Sequence, residues 1–395
     1  MSLHFIKNNF YPNKVISKDI FNTLFFTFTY SLGYASIMFL PLYLKHSLNY
    51  SIRQTGIILS FFGVGFIIGS FYGGKLCDQF SPYKISVISI SLYFLGTILA
   101  YFIRSPNWIV FLILAALGCT NAAFSPASRI YLMNITPIQD QVKINGLRYM
   151  LFNIGCAISY GIAGWITLSD YKEIFILAAL SSLVTIIILL SLKQKHKEQK
   201  ICKLKPKIEF LKEKFLLISL LCFFLGMLVF NQLGSSYSLF LSSQYHFNSH
   251  KLAILFVINS LMIGLFQMSI VKLCSRIPQF LLMSIGSIIL GIGFFILLFN
   301  HLFMIAIISM LIITIGEMLF MPVSYILIFQ NARIELRGFY MGVYQTLYAT
   351  TFILSPLLSS FILAHNPNGL LLWSTSLIIC SIPLLCFLFL VKDKL

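Results

Sequence analysis

Gly73-Gly74-Lys75-Leu76-Cys77-Asp78-Gln79-Phe80-Ser81-Pro82-Tyr83-Lys84 is a polar interlude between two long apolar runs. Part of it returns: Lys75-Leu76-Cys77 recurs as Lys272-Leu273-Cys274, 197 residues downstream in a chain of 395. An offset near half the chain length points to a duplicated unit, and other matches agree. Pro126 and Gly146 stand twenty residues apart, as do Pro322 and Gly342, and the two pairs are offset by 196. Ser31-Leu32-Gly33-Tyr34 is echoed by Gln232-Leu233-Gly234-Ser235 at an offset of 201. One short match arises by chance in a biased sequence. Three in chain order at similar offsets read as a tandem repeat.

Composition says what is repeated. Hydrophobic residues make up 58% of the chain and charged residues 10%, with a mean hydropathy of +0.91. Soluble domains carry roughly 25% charged residues, so a soluble fold is excluded. A bilayer-spanning helix needs about 20 predominantly apolar residues. Twelve stretches qualify: 20–44, 54–76, 84–103, 107–132, 142–169, 172–193, 214–243, 250–273, 279–299, 302–329, 337–364 and 368–391. The expected fold class is an all-α membrane protein with twelve transmembrane helices in two pseudo-symmetric six-helix halves. Residues 1–193 form the first half, 194–213 a basic cytoplasmic linker and 214–395 the second half. With its flanks (193–214) the linker holds nine lysines and three glutamates. That composition suits a solvated tether, with attraction to lipid headgroups as an additional role. Residues 1–19 lack the short apolar core and small-residue cleavage site of a signal peptide.

The net charge of +17 does not call for nucleic acid, because no basic stripe lies on a soluble fold. With the N-terminus inside, 21 of the 28 Lys and Arg residues fall on cytoplasmic segments. Lys45, Arg53, Arg104, Lys172 and Lys251 fall outside, while Arg129 and Arg148 lie within helices. The positive-inside rule then places both termini in the cytoplasm. The eight cysteines form no C-x-x-C pair and read as small buried hydrophobes. No cofactor and no metal site are expected. His246 and His250 are the one close histidine pair among five histidines near the outer face.

Glu317 is the sharpest functional candidate, since it alone of eleven acidic residues falls near the middle of a span. A charged group there costs roughly 2.5–3.5 kcal/mol on insertion scales. Such residues face a cavity or a partner and mark proton or ion paths. The alternative is a protonated structural glutamate bonded to a neighbouring helix. Arg148, early in helix 5, either binds an anionic substrate or snorkels to headgroups, and snorkelling is the commoner outcome. Tyr30, Tyr34, Asn121, Asn153, Asn231, Gln232, Asn259, Gln267, Gln345 and Tyr348 are polar groups within helices. Each must face another helix or water. As a set they fit a central polar cavity. Pro126, Pro322, Pro356 and Pro383 are expected to kink their helices.

Twelve helices in two halves, a basic linker and a polar loop after helix 2 resemble the major facilitator superfamily. The loop signature of that family is matched by Gly74 and Asp78, whereas Gln79, Ser81 and Pro82-Tyr83 depart from it and Lys84 alone keeps a charge nearby. Gly316-Glu317, Pro322 and Arg337-Gly338-Phe339-Tyr340-Met341-Gly342 resemble helices 10 and 11 of the twelve-helix drug and metabolite efflux branch. Gly146, Gly155 and Gly164 fit the helix 5 signature of its antiporters. Ser159, Tyr160 and Ala163 do not, and the signature proline stands instead in the second half, as Pro356. Leu114 replaces the helix 4 arginine expected four residues before Gly118. Asp78 and Arg129 stand at the cytoplasmic ends of helices 2 and 4 and read as a pair, with independent solvated charges as the alternative. The resemblance implies that Asp78 also meets the N-terminus of helix 11 at Arg337 and Gly338, with Gly74 permitting close helix approach, so that the halves are latched on the cytoplasmic side.

The expected function is secondary active transport by alternating access, with proton-coupled export of a small organic compound (a drug, metabolite or siderophore) through Glu317. Uptake of a nutrient or metallophore is the alternative. A non-transporting receptor or an intramembrane enzyme fits less well, because no H-E-x-x-H, nucleophile elbow, aspartate pair or Walker motif is present. The partners implied are a small-molecule substrate, protons and the lipid bilayer of a bacterial inner membrane, with no nucleic acid, and the chain is expected to be a monomer.

Overall fold

A computed structural model describes residues 17–104, 108–137, 140–192, 214–274, 276–333 and 337–392. The N-terminal sixteen residues and the basic linker 194–213 lie outside the described residues. Among the described residues, twelve helices are long and apolar enough to cross a membrane. They are α1 (Lys18–Ser47), α2 (Ile52–Gln79), α3 (Pro82–Tyr101), α4 (Ile109–Ile135), α5 (Gln141–Ile166) and α6 (Glu173–Leu190) in the first half. The second half has α7 (Lys214–Gly234), α8 (Ser249–Leu273), α9 (Gln279–Phe295), α10 (Phe303–Asn331), α11 (Arg337–His365) and α12 (Leu370–Lys392). Local chemistry sets the starts. Ser51 and Gln54 exchange hydrogen bonds in a capping box at α2, Pro82 opens α3, and the Asn248 side chain accepts from Lys251 N–H at α8.

The polarity of each helix is that of a lipid-facing protein. On α3, Ile88, Leu92, Leu95 and Leu99 are exposed, whereas Ser86, Ser89 and Thr97 are buried. Lipid accepts the alkyl face, and hydroxyls are satisfied inside, here by carbonyls of their own helix: Ser86 donates to Pro82 O and Thr97 to Phe94 O.

Two helices expected to be continuous are broken. In α1 the helix stops at Ser31, turns through residues 32–34 and resumes at Ala35. The freed Ala35 N–H donates to Ser159 Oγ of α5 at 3.0 Å, and Gly33 backs directly onto Ala178 and Ser181 of α6. In α7 the helix ends at Phe230, tightens to a 3₁₀ turn over Asn231–Gly234 and continues as Ser236–Gln244. Both breaks fall on the echoed Leu-Gly motif, so that sequence repeat is the repeat of a mid-membrane discontinuity.

The helix pairings repeat as well. The contacts α2–α4, α3–α6 and α1–α5 are mirrored by α8–α10, α9–α12 and α7–α11. Across the halves, α2 packs on α11 and α5 on α8, and a shift of 196 residues interchanges these two seams. Residues at helix ends define two faces. Ile20, Leu24, Leu132 and Ile144 cluster on one face, here called the linker side because α6 ends and α7 begins there. His46 and Ser242 meet on the opposite, far side.

Candidate functional site

Between the halves, at the level of both helix breaks, lies a cavity of about 230 Å³. The first half contributes Tyr34, Phe62, Tyr149, Phe152, Asn153 and Tyr160 to its wall; the second contributes Asn231, Asn259, Glu317, Tyr348 and Phe352. Glu317 is 9% exposed. Asn259 Nδ2 donates to Glu317 Oε2 at 2.9 Å and to Thr314 Oγ1 at 3.0 Å, which ties α8 to α10. These bonds engage one carboxyl oxygen only, so Oε1 is available to a proton or ligand. The phenols of Tyr34, Tyr149, Tyr160 and Tyr348 lie within electrostatic reach of this carboxyl group. The site can therefore hold a polar group among aromatic faces and exchange a proton at one carboxylate.

Six sequence candidates line this cavity: Tyr34, Asn153, Asn231, Asn259, Glu317 and Tyr348. The others do not. Asn121 Nδ2 donates to the Tyr30 hydroxyl at 2.7 Å, joining α4 to α1. Gln232 Oε1 accepts from Ser376 Oγ at 3.1 Å, joining α7 to α12. Gln267 Nε2 donates to the Met318 carbonyl at 3.0 Å. That carbonyl is the one Pro322, four residues on, leaves without its helical partner. Gln345 is exposed on the linker side of α11. Arg148 is half-buried, and its Nε has no hydrogen-bond partner among the described residues. Arg129 is exposed. Gly74, Asp78, Arg337 and Gly338 fall within helices, but their side chains lie outside the described residues.

Sequence reasoning missed Tyr149, Cys156 and Tyr160, which line the cavity beside Asn153. Their signal was present. Positions 149, 153, 156 and 160 are spaced as one face of a helix, and they are also the face of α5 turned toward the second half.

The cavity is sealed on the far side and opens toward the linker side. Arg53 sits over the Phe361 ring at 5.2 Å, Phe39 and Tyr160 both pack on the Phe256 ring, and His46 Nε2 shares a 2.8 Å hydrogen bond with Ser242 Oγ. Phe66 stacks on Phe352 at 4.4 Å. Below that level α2 and α11 diverge: open space surrounds Gly342, and Gln345 and Thr346 are exposed.

Two six-helix halves related by an internal repeat, with a largely apolar cavity between them that carries a few polar groups and is closed on one side, define an alternating-access carrier. Sequence comparison makes this specific. The chain matches the Major Facilitator Superfamily over residues 23–356 and again over 219–394, and it belongs to that family, whose fold serves transport and not catalysis. It is 24% identical to the uncharacterized MFS-type transporter YqjV of Bacillus subtilis, over 78% of this chain and 77% of the relative. A multi-drug resistance efflux pump PmrA homolog of Lactococcus lactis is 27% identical over 47% of this chain and 51% of its own length. Among solved structures, the nucleoside transporter NupG superimposes with a TM-score of 0.77 at 15% identity, covering 94% of this chain and 99% of that one. A peptide transporter POT in complex with sulfate gives 0.79 at 15% identity, covering 97% of each. At such identities these structures establish the fold alone.

Proposed function

We propose that this protein is a proton-coupled secondary transporter of a small organic molecule, with Glu317 as the protonation site. The observation that carries the reading is Glu317 itself: a buried carboxylate on the cavity wall, braced through one oxygen by Asn259. A purely structural glutamate has no need of a cavity. By the distribution of Lys and Arg the linker side is cytoplasmic. The relatives named above are bacterial, and a bacterial inner membrane is the compartment this reading takes. Uptake of a nutrient is the first reading, since the solved proteins of similar fold are named as transporters of nucleosides and oligopeptides, which are nutrients in class. Export is the second reading, supported by the efflux-pump relative and by the motif likeness of helices 10 and 11. The gate of Asp78, Arg129, Arg337 and Gly338 belongs to the proposal, as the latch that closes the linker side when the cavity faces outward.

The test is internal pH in proteoliposomes during transport, comparing wild type with Glu317→Gln. Cargo-dependent proton movement lost in the variant supports the proposal. Equal proton movement in both removes Glu317 from the mechanism. The sign of the movement under an imposed cargo gradient separates symport from antiport.

A further inference from the structure

The hydrogen-bond relay that ends at Glu317 has a fixed polarity. Thr314 Oγ1 lies 2.6 Å from the Met310 carbonyl oxygen, one turn back on α10. Two oxygens that close repel unless a hydrogen lies between them, and a carbonyl has none to give. The hydroxyl hydrogen is therefore committed to Met310, and Thr314 Oγ1 can only accept. Its neighbour at 3.0 Å is the Asn259 side chain, which must then present its NH2 end. The other hydrogen of that NH2 group goes to Glu317 Oε2 at 2.9 Å. Turning the amide over would set its carbonyl oxygen against a threonine oxygen with no hydrogen to share. Asn259 is in this way an obligate donor, and Glu317 Oε2 an obligate acceptor.

The internal repeat separates the relay from the shared scaffold. A shift of 196 residues places Gly63, Gly118 and Asn121 at the positions of Asn259, Thr314 and Glu317. A Cβ on Gly118 would run into the Phe62 carbonyl, so α2 and α4 meet backbone to backbone at this level. Asn121 turns instead to the Tyr30 hydroxyl of α1. Between α8 and α10 the same level is filled by side chains, and those side chains form the relay. The amide and the hydroxyl thus stand where the first half is built with glycine, and they stand beside the acid.

We infer that Asn259 and Thr314 are positioning residues for the proton: they keep Glu317 Oε2 as the carbonyl oxygen of the neutral acid and direct the proton to Oε1. This rests on the protonation role of Glu317 proposed above. The phenols of Tyr34, Tyr149, Tyr160 and Tyr348 stand within electrostatic reach, but among the described residues Asn259 alone donates to the carboxylate. The consequence is a proton route. Oε2 is tied to α8, so the proton enters and leaves by the oxygen left to the cavity, the space that also receives cargo. Asn259 need not move for that exchange. What changes is the strength of its bond, because a hydrogen bond to an ionised group is roughly twice as strong as one between neutral groups. Helix α8 packs on α5 across the seam between the halves, so loading a proton loosens the helix that borders the other half.

The experiment is infrared difference spectroscopy of the protein in lipid vesicles as the buffer is stepped from alkaline to acidic pH. The carbonyl band of protonated Glu317 is the one absent from Glu317→Gln. A carbonyl oxygen that accepts a hydrogen bond absorbs at lower frequency than a free one, so wild type is expected to show a single, lowered band. Asn259→Leu should shift that band to higher frequency. Thr314→Val should split it in two, because the amide is then free to turn and part of the protein carries the proton on Oε2. Thr314→Ser, which keeps the hydroxyl, should restore the single lowered band. A wild-type band at the frequency of a free carbonyl, an unmoved band in Asn259→Leu, or a single unmoved band in Thr314→Val each overturns the inference. Should Asn259→Leu fail to fold, the two Thr314 variants decide it, since a merely structural threonine leaves the frequency alone. A Glu317 band untouched by the relay variants overturns this inference and leaves the proton-coupled reading standing. If no band is lost in Glu317→Gln, that carboxyl group takes up no proton, and the proton-coupled reading fails and this inference with it.

Discussion

The two seams between the halves are equivalent by the repeat yet differ in kind. Along the α5–α8 seam contact runs the whole way. A Cβ on Gly164 would run into Ala253 on the far side, one on Gly264 would reach Asn153 and Ile154 in the middle, and one on Gly146 would lie 3.6 Å from Met268 on the linker side. Along α2–α11 contact is tighter but stops halfway. A Cβ on Gly63 would lie 2.5 Å from the Phe352 carbonyl, whereas Gly342 faces open space. Pro356 is the chemical difference. It stands inside α11, and its repeat equivalent on α5 is Tyr160. Pro356 strips the Phe352 carbonyl of its helical hydrogen bond, and that is the carbonyl against which Gly63 packs. One seam is a continuous zipper, and the other is a hinge with a seal above it.

The largest expected effect breaks the seal. Gly63→Ala forces α2 from α11 at a level where the far side is shut, and transport should fall by at least an order of magnitude, the cost of about 1.4 kcal/mol in a closed-state equilibrium. Gly146→Ala, which meets only ordinary contact with Met268, should leave flux nearly unchanged. Equal effects from the two would end the distinction between seams. Spin labels at Lys75 and Gly342 should show a distance that shifts with pH and substrate, whereas labels at Gly146 and Met268 should show a smaller change.

Pro356→Ala comes next. It restores a helical hydrogen bond, so the thermal midpoint in detergent should hold or rise while flux drops severalfold. A lower midpoint with unchanged flux would remove Pro356 from the hinge. Gln267→Leu is smaller still. It leaves the Met318 carbonyl unpaired, and interhelical hydrogen bonds in membranes average about 0.6 kcal/mol with a maximum near 1.7. A modest drop in stability with transport intact is expected; a selective loss of substrate affinity would return Gln267 to the cavity wall.

The least effect is electrostatic. Burial works against the charge of Asp170, yet donation from Ser47 Oγ at 2.6 Å, from Lys172 N–H, and the Lys172 ammonium hold its carboxyl below the usual carboxylate range. A carboxyl lowered in the folded state stabilises above its unfolded pKa, and that contribution is lost as pH falls through the folded value. Partial exposure of the pair to solvent keeps it small. Wild type should therefore lose a little more stability than Asp170→Asn between neutral and strongly acidic pH, and parallel curves would show that the loop contact contributes nothing.

Much of this architecture was legible in the chain. Helix count and span positions follow from hydropathy alone, because a bilayer rejects any segment that leaves backbone groups unpaired. Glu317 stood out because a lone acid in a greasy span is expensive. The amides were less transparent. Asn259 and Gln267 lie on the same helix with the same chemistry, yet one braces the cavity carboxylate and the other serves a proline-orphaned carbonyl on α10. The breaks in α1 and α7 were marked by the Leu-Gly echo, but hydropathy is blind to them, since a turn with its backbone satisfied by a neighbour is as apolar as a helix.

What the sequence by itself determined is therefore the list of helices, their duplication and the one acid that had to find a cavity. Each follows from the cost of polar groups in hydrocarbon, which is a local, residue-by-residue quantity. Which amides face the cavity, which carbonyls need rescue, where α2 and α11 part and why the Arg148 Nε is left without a partner were decided by tertiary structure. These depend on which helix stands opposite which, and no local cost records that.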